Sequence, residues 1–186
     1  MEKKNKGQKV EAFTKNDINK ILIFLNQNKK YVILGIFTLG IHTGLRISDY
    51  INSNFEDIQD NNLIIKNSKK VLLNNHCLEI IETLKSFYKE KNIIPYDEGP
   101  IFKSTTTNLS ITYRAVAKYF KQIEKKLDIS YPIGSDSLRK TYLQLKLTKE
   151  QKLQKLKDYL ANVDEETLKL YLNKTKQDIE NWKVIE

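Results

Sequence analysis

From Phe13 onward, apolar residues recur at the spacing of one helix face: Ile18, Ile21, Leu22 and Leu25. Thr14 stands just before them and Asp17 three residues on, the pattern of a capping box in which a hydroxyl accepts a free backbone amide and an acidic side chain reaches back. These positions predict a first helix from about 15 to 27. Tyr31 to Thr43 is apolar nearly all round, which predicts a buried helix ending near Gly44, before a shorter one that begins around Arg46. The period then changes. Leu63-Ile64-Ile65 and Val71-Leu72-Leu73 are short β-type runs separated by Lys66-Asn67-Ser68-Lys69-Lys70, which predicts a hairpin with a lysine-rich tip. Helical period returns from Leu78 through Ile81, Leu84 and Phe87, and breaks over Pro95 to Pro100. It resumes from Ile111 to Leu127 and stops at Pro132 and Gly134. Ser135 to Trp182 reads as helical with one polar break near Asn162 to Glu165. The expected fold class is mainly α with a small antiparallel β-sheet (α+β), either a hairpin or three strands.

Composition sharpens this picture without changing it. The chain has 186 residues, enough for one domain with a real core, and its balance of 40% hydrophobic to 30% charged residues, with six Gly and three Pro, describes a globular protein. The first ten residues are basic and without apolar period, so residues 1–12 read as a flexible arm or linker stub. The longest apolar run, Tyr31 to Ile41, is eleven residues, short of the roughly 20 that span a bilayer, and no signal-peptide pattern opens the chain. A cytoplasmic protein without a membrane partner is expected. The lone Cys77 forms no internal disulfide, and His42 and His76 add too few ligands for a zinc site. No cofactor and no metal are expected.

The formal net charge of +9 favours a polyanionic partner. Of 32 basic residues only three are Arg: Arg46, Arg114 and Arg139. Where Lys is used so freely, a retained Arg points to a planar, permanently charged fork that grips two phosphate oxygens.

Three segments stand in order: Thr43-Gly44-Leu45-Arg46-Ile47-Ser48-Asp49, then Ser137-Leu138-Arg139-Lys140-Thr141, then Thr167-Leu168-Lys169-Leu170-Tyr171. Together they resemble the motifs of the catalytic domain of tyrosine recombinases, the phage integrase family. Order and spacing both agree over about Phe13 to Leu172, with Tyr171 lying 32 residues beyond Arg139. The resemblance implies a recombinase-like catalytic domain over residues 13–174, followed by a C-terminal helix or tail at 175–186. It implies a prokaryotic or phage-encoded enzyme that cuts and rejoins double-stranded DNA at specific sites through a 3′-phosphotyrosine intermediate. Arg46 and Arg139 would hold the phosphate, and Tyr171 would be the nucleophile. The hairpin lysine that protonates the leaving oxygen is best matched by Lys66, with Lys69 and Lys70 at the same tip. Asp49 matches an acidic position that buttresses the site.

Two positions depart from the family pattern. Asp136 stands where His or Lys is usual, and Asn162 where His or Trp is usual. A carboxylate beside the scissile phosphate opposes the field of the two arginines, whereas an amide still donates one hydrogen bond. Both belong to the expected catalytic set. The separate N-terminal helical domain usual in the family has no counterpart here, which reads either as a fragment cut at the linker or as a single-domain relative that works with a partner or no longer recombines. The alternative reading is a catalytically weakened or inactive DNA-binding regulator that keeps the recombinase fold. Either reading leaves room for a homo-oligomer on DNA.

Overall fold

The computed structural model describes residues 10–65 and 68–146. Lys66, Asn162, Tyr171 and the helical stretch expected beyond Lys146 lie outside the described residues. Among the described residues, six α-helices and three strands follow one another in the order α1 (Lys15–Gln27), α2 (Tyr31–Thr43), α3 (Ile47–Tyr50), β1 (Ile58–Gln59), β2 (Asn62–Ile65), β3 (Lys69–Leu72), α4 (Asn75–Glu90), α5 (Tyr113–Lys126) and α6 (Ser135–Lys146). The three strands form an antiparallel sheet in the order β1-β2-β3, so the hairpin expected from sequence carries one short extra strand. Two turn residues, Asp60 and Asn61, take positive φ to bring β1 round to β2.

The capping signals at the helix starts act as their chemistry dictates. Thr14 accepts the amide of Asp17 at 3.1 Å, and Asp17 in turn accepts from the Thr14 hydroxyl at 2.6 Å and from the Tyr131 hydroxyl at 2.5 Å. Burial alone would raise the Asp17 carboxyl, but these hydrogen bonds outweigh it and hold its pKa below the ordinary value. Asn74 accepts the Cys77 amide at 3.0 Å, which starts α4 three residues earlier than its apolar period suggests.

The architecture is organised around α2. Val32, Ile33, Leu34, Ile36, Phe37, Leu39 and Ile41 are all buried, and the helix packs against α1, α4 and α6. An apolar helix enclosed on every side places each of these side chains in the core, worth roughly 1.5–3 kcal/mol apiece when fully buried. Gly40 lets α6 come close, since a Cβ there would lie 2.6 Å from Leu138 Cδ1 and 2.9 Å from the Tyr50 hydroxyl. Gly44 ends α2 in the left-handed region at φ 67°, and a Cβ there would lie 2.2 Å from the Tyr142 ring.

The connection between α4 and α5 is more built than its Pro and Gly content suggests. Ile101, Phe102 and Lys103 are buried in it, with short bridges at Asn54↔Pro100 and Lys103↔Ser110. The Lys103 ammonium donates to the Pro95 carbonyl and lies over the rings of Phe55 and Tyr88. Burial lowers its pKa, only partly offset by Glu56, Asp97 and Glu98. No described helix is long and apolar enough to cross a membrane.

Replacing Gly44 by Ala adds backbone strain to a steric overlap and should cost on the order of 3 kcal/mol. In thermal denaturation that corresponds to a fall in Tm of about 10 °C for a chain of this size. Gly40→Ala should cost about 1–3 kcal/mol by overpacking alone. An unchanged Tm in both variants would contradict this close packing of α2 against α6.

Candidate active site

The first arginine sits on a turn whose every neighbour is fixed. The Thr43 hydroxyl donates to the Leu39 carbonyl at 2.6 Å and accepts the Leu45 amide at 3.3 Å, locking the exit from α2. Leu45 and Ile47 are buried on either side, so the intervening Arg46 is turned outward and is exposed. Its backbone is extended at φ −69°, ψ 142°, and starts α3. Asp49 accepts the Arg46 amide at 3.2 Å. This bond fixes the backbone from which the Arg46 side chain leaves.

The second arginine reaches the same turn from far along the chain. α6 buries Leu138, Tyr142 and Leu143, and this apolar face lies against α2 and the Gly44 turn. Arg139 is half-buried beside that face, and its Nη1 donates to the Gly44 carbonyl at 3.2 Å across 95 positions of sequence. The carbonyl belongs to the negative end of α2, which favours a cation. A guanidinium is a planar fork with five N–H donors, of which this bond uses one. Ser137, Lys140 and Thr141 of the same motif have a different task. Thr141 accepts the Phe13 amide at 2.8 Å, and Lys140 donates to the Val10 carbonyl at 2.7 Å, so the motif also staples the N-terminal segment to α6. All three are buried. Sequence reading missed this role because Lys140 looks like one more solvated lysine; the nearby buried Leu138 and Tyr142 are the only hint.

Asp136 is exposed in the first turn of α6, where the positive helix end favours a carboxylate. Three residues before Arg139, it shares the helix face from which that arginine projects. Arg114 is exposed in the first turn of α5, next to Tyr113, whose hydroxyl is 2.8 Å from that of Ser135 at the start of α6.

The described pairing of β2 with β3 ends at Ile65↔Lys69, and Lys69 and Lys70 are exposed on β3 rather than at a turn; Lys66 lies outside the described residues. A cavity of about 290 Å³ separates α3 from this hairpin and is lined by Ser48, Asp49, Asn52, Asp57, Ile65 and Ser68, among others. Its two carboxylates, Asp49 and Asp57, repel a phosphate, so this cavity is a poor anion site. The tyrosines in the core are poorly suited to be nucleophiles. Tyr50 and Tyr88 are fully buried and donate to the carbonyls of Ile36 and Ile101. Burial raises the pKa of both, and burial with the Asp17 hydrogen bond raises Tyr131 to about 12. Burial likewise pushes the Cys77 thiol up to about 11. Among the described residues no group of three or more His, Cys, Asp or Glu is placed to hold a metal ion.

Comparison with known proteins agrees with this geometry. No curated protein sequence matches the chain. Among solved structures, XerA recombinase superimposes with a TM-score of 0.72 at 13% identity, covering 96% of this chain and 64% of XerA. The XerH site-specific recombinase bound to palindromic difH substrate gives 0.68 at 17% identity, covering 97% and 54%. The lambda integrase catalytic core gives 0.55 at 18% identity, covering 95% and 99%. The chain thus spans less than two thirds of either Xer protein while matching nearly the whole of an isolated catalytic core. The family model described as phage integrase family matches residues 11–178. The chain belongs to the phage integrase family and has the mainly helical fold, with a small three-stranded sheet, of tyrosine-recombinase catalytic domains.

Proposed function

We propose that the protein is a tyrosine-type site-specific DNA recombinase, with residues 13–174 as its catalytic domain. The observation that carries this reading is the Arg139 bond to the Gly44 carbonyl, which brings the second arginine segment onto the turn that ends in Arg46. Two guanidinium groups so placed supply fixed positive donors for the non-bridging oxygens of a phosphodiester, where charge grows during substitution at phosphorus. Tyr171 attacks the phosphorus through its phenolate oxygen, the bond from phosphorus to the 5′-oxygen breaks, and Lys66 gives that oxygen its proton. Attack by a 5′-hydroxyl reverses each step and releases the tyrosine. Asn162 donates a hydrogen bond to the same phosphate.

Double-stranded DNA is the proposed partner. The exposed face of α5 carries Arg114, Lys118, Lys121 and Lys125 at spacings of four, three and four residues, a single basic stripe. Lys121 is 3.5 Å from Glu124 across an exposed ion pair, which is worth little and opens readily for a phosphate. The XerH structure that this chain resembles is itself a complex with its DNA substrate.

Asp136 favours a second reading, a DNA-binding regulator. A carboxylate on the helix face of Arg139 weakens the field on a bound phosphate, which plain binding tolerates better than strand cleavage does.

A suicide duplex carrying the recombination site and a nick beside the scissile phosphate should trap a covalent protein–DNA adduct, visible as a band retained under denaturing conditions. Tyr171→Phe should abolish it, and Arg139→Ala should reduce its rate by about 100-fold or more. Asp136→His should raise the rate. Absence of adduct in the parent chain and in Asp136→His alike would leave the regulator reading. On either reading, Arg114→Ala should weaken duplex binding and lower the slope of log affinity against log salt by about 1; an unchanged slope would remove α5 from the DNA interface.

A further inference from the structure

His42 stands in the last turn of α2, just before the turn that ends in Arg46, and Asn74 stands two residues beyond the end of β3. These two junctions touch. Asn74 Nδ2 lies 3.0 Å from His42 Nδ1. The Asn74 carbonyl oxygen is already committed, since it accepts the Cys77 amide at 3.0 Å as the cap of α4. The amide group therefore has to present its NH₂ to His42, and His42 has to answer with a lone pair on Nδ1, leaving its proton on Nε2. A second proton on this imidazole would set donor against donor.

The hairpin side of this contact is well anchored. Leu73, next to Asn74, is buried and donates its amide to the Asn61 carbonyl at 2.8 Å, and Val71 pairs with Leu63. On the other side, His42 is followed by Thr43, whose hydroxyl locks the end of α2, and by Gly44, whose carbonyl holds Arg139. One hydrogen bond thus links the root of the hairpin to the turn of the arginines.

The other charged groups around His42 discourage its protonation. From α4, the His76 ring stacks on it with centroids 5.2 Å apart and planes 27° apart. From α6, Lys146 acts on it as a like charge. The acidic group nearby, Glu79, is directed to His76, 3.8 Å from its Nδ1. Burial first, then His76 and Lys146, lower the His42 pKa from 6.5 to about 4.

We infer that His42 and Asn74 form a proton-sensitive clasp that positions the β2–β3 hairpin against the arginine turn and opens on acidification. They are positioning residues, not catalytic ones. The consequence for strand cleavage rests on the proposed function, because the hairpin carries Lys66; the clasp itself does not, and it is tested without DNA.

The sign follows from the two states. Unfolded His42 takes up a proton near pH 6.5 and folded His42 near pH 4, so keeping the buried imidazole neutral contributes stability that is fully present above pH 6.5 and is lost as pH falls from 6.5 to 4. An NMR titration of the imidazole protons of the full chain should give His42 a midpoint near 4. Asn74→Asp keeps the oxygen that caps α4 but replaces the NH₂ by a second carboxylate oxygen, so His42 should now titrate above 6.5, a gain in proton affinity of more than about 100-fold. A parent midpoint near 6.5, or one unmoved by Asn74→Asp, would overturn the clasp. Should that variant not fold, His42→Gln supplies the second test: acid-induced opening, read as a fall between pH 6.5 and 4 in the protection of the Cys77 amide relative to its intrinsic exchange rate at each pH, should disappear. Its persistence in His42→Gln would equally overturn the inference.

Discussion

The bond from Arg139 to the carbonyl of Gly44 is the constraint on which the site depends. It is short-range chemistry between residues 95 positions apart, and it exists because α6 is pressed onto the end of α2. Three features make that approach work. Gly40 leaves room for Leu138, Gly44 leaves room for the Tyr142 ring while turning the chain left-handed, and the buried Leu45 and Ile47 force Arg46 outward. Remove any of them and both arginines keep their charge, but the approach of the Arg139 segment to the Arg46 turn is lost.

The same packing assigns separate jobs to neighbouring letters of a motif. In Ser137-Leu138-Arg139-Lys140-Thr141, Leu138 is core, Arg139 faces the Gly44 turn, and Lys140 and Thr141 hold Val10 and Phe13. A helix distributes successive residues around its axis by about 100°, so adjacent side chains meet different neighbours. Loss of Lys140 or Thr141 would thus be felt as a structural defect before any effect on phosphate chemistry.

Much of this was legible in the sequence. The all-apolar run Tyr31 to Thr43 announced a helix enclosed by the others, and Thr14 with Asp17 announced the start of α1, because burial and capping leave periodic and local signatures. The pairing of the Arg46 and Arg139 segments came from motif resemblance, and the structure supplies its physical reason. What stayed hidden depends on long-range contacts. Strand β1 is two residues long and carries no period. Lys103 reads as a surface lysine, yet it is buried under two aromatic rings and a carbonyl from the Pro95 loop. His42 and Asn74 are 32 positions apart and became a pair only when α4 packed on α2. Among the described residues Asp136 is a local conflict, favourable to its helix end and unfavourable to a phosphate proposed at Arg139, and such conflicts concentrate where function is decided.

Because the chain has only three arginines, their side-chain Nε resonances can each be assigned by single substitution and followed separately by NMR. Titrating the full chain with inorganic phosphate tests the shared anion site directly. Arg46 and Arg139 should shift together with one binding midpoint, distinct from any weaker response of Arg114 in the α5 stripe. Separate midpoints for Arg46 and Arg139, or a response at only one of them, would contradict it.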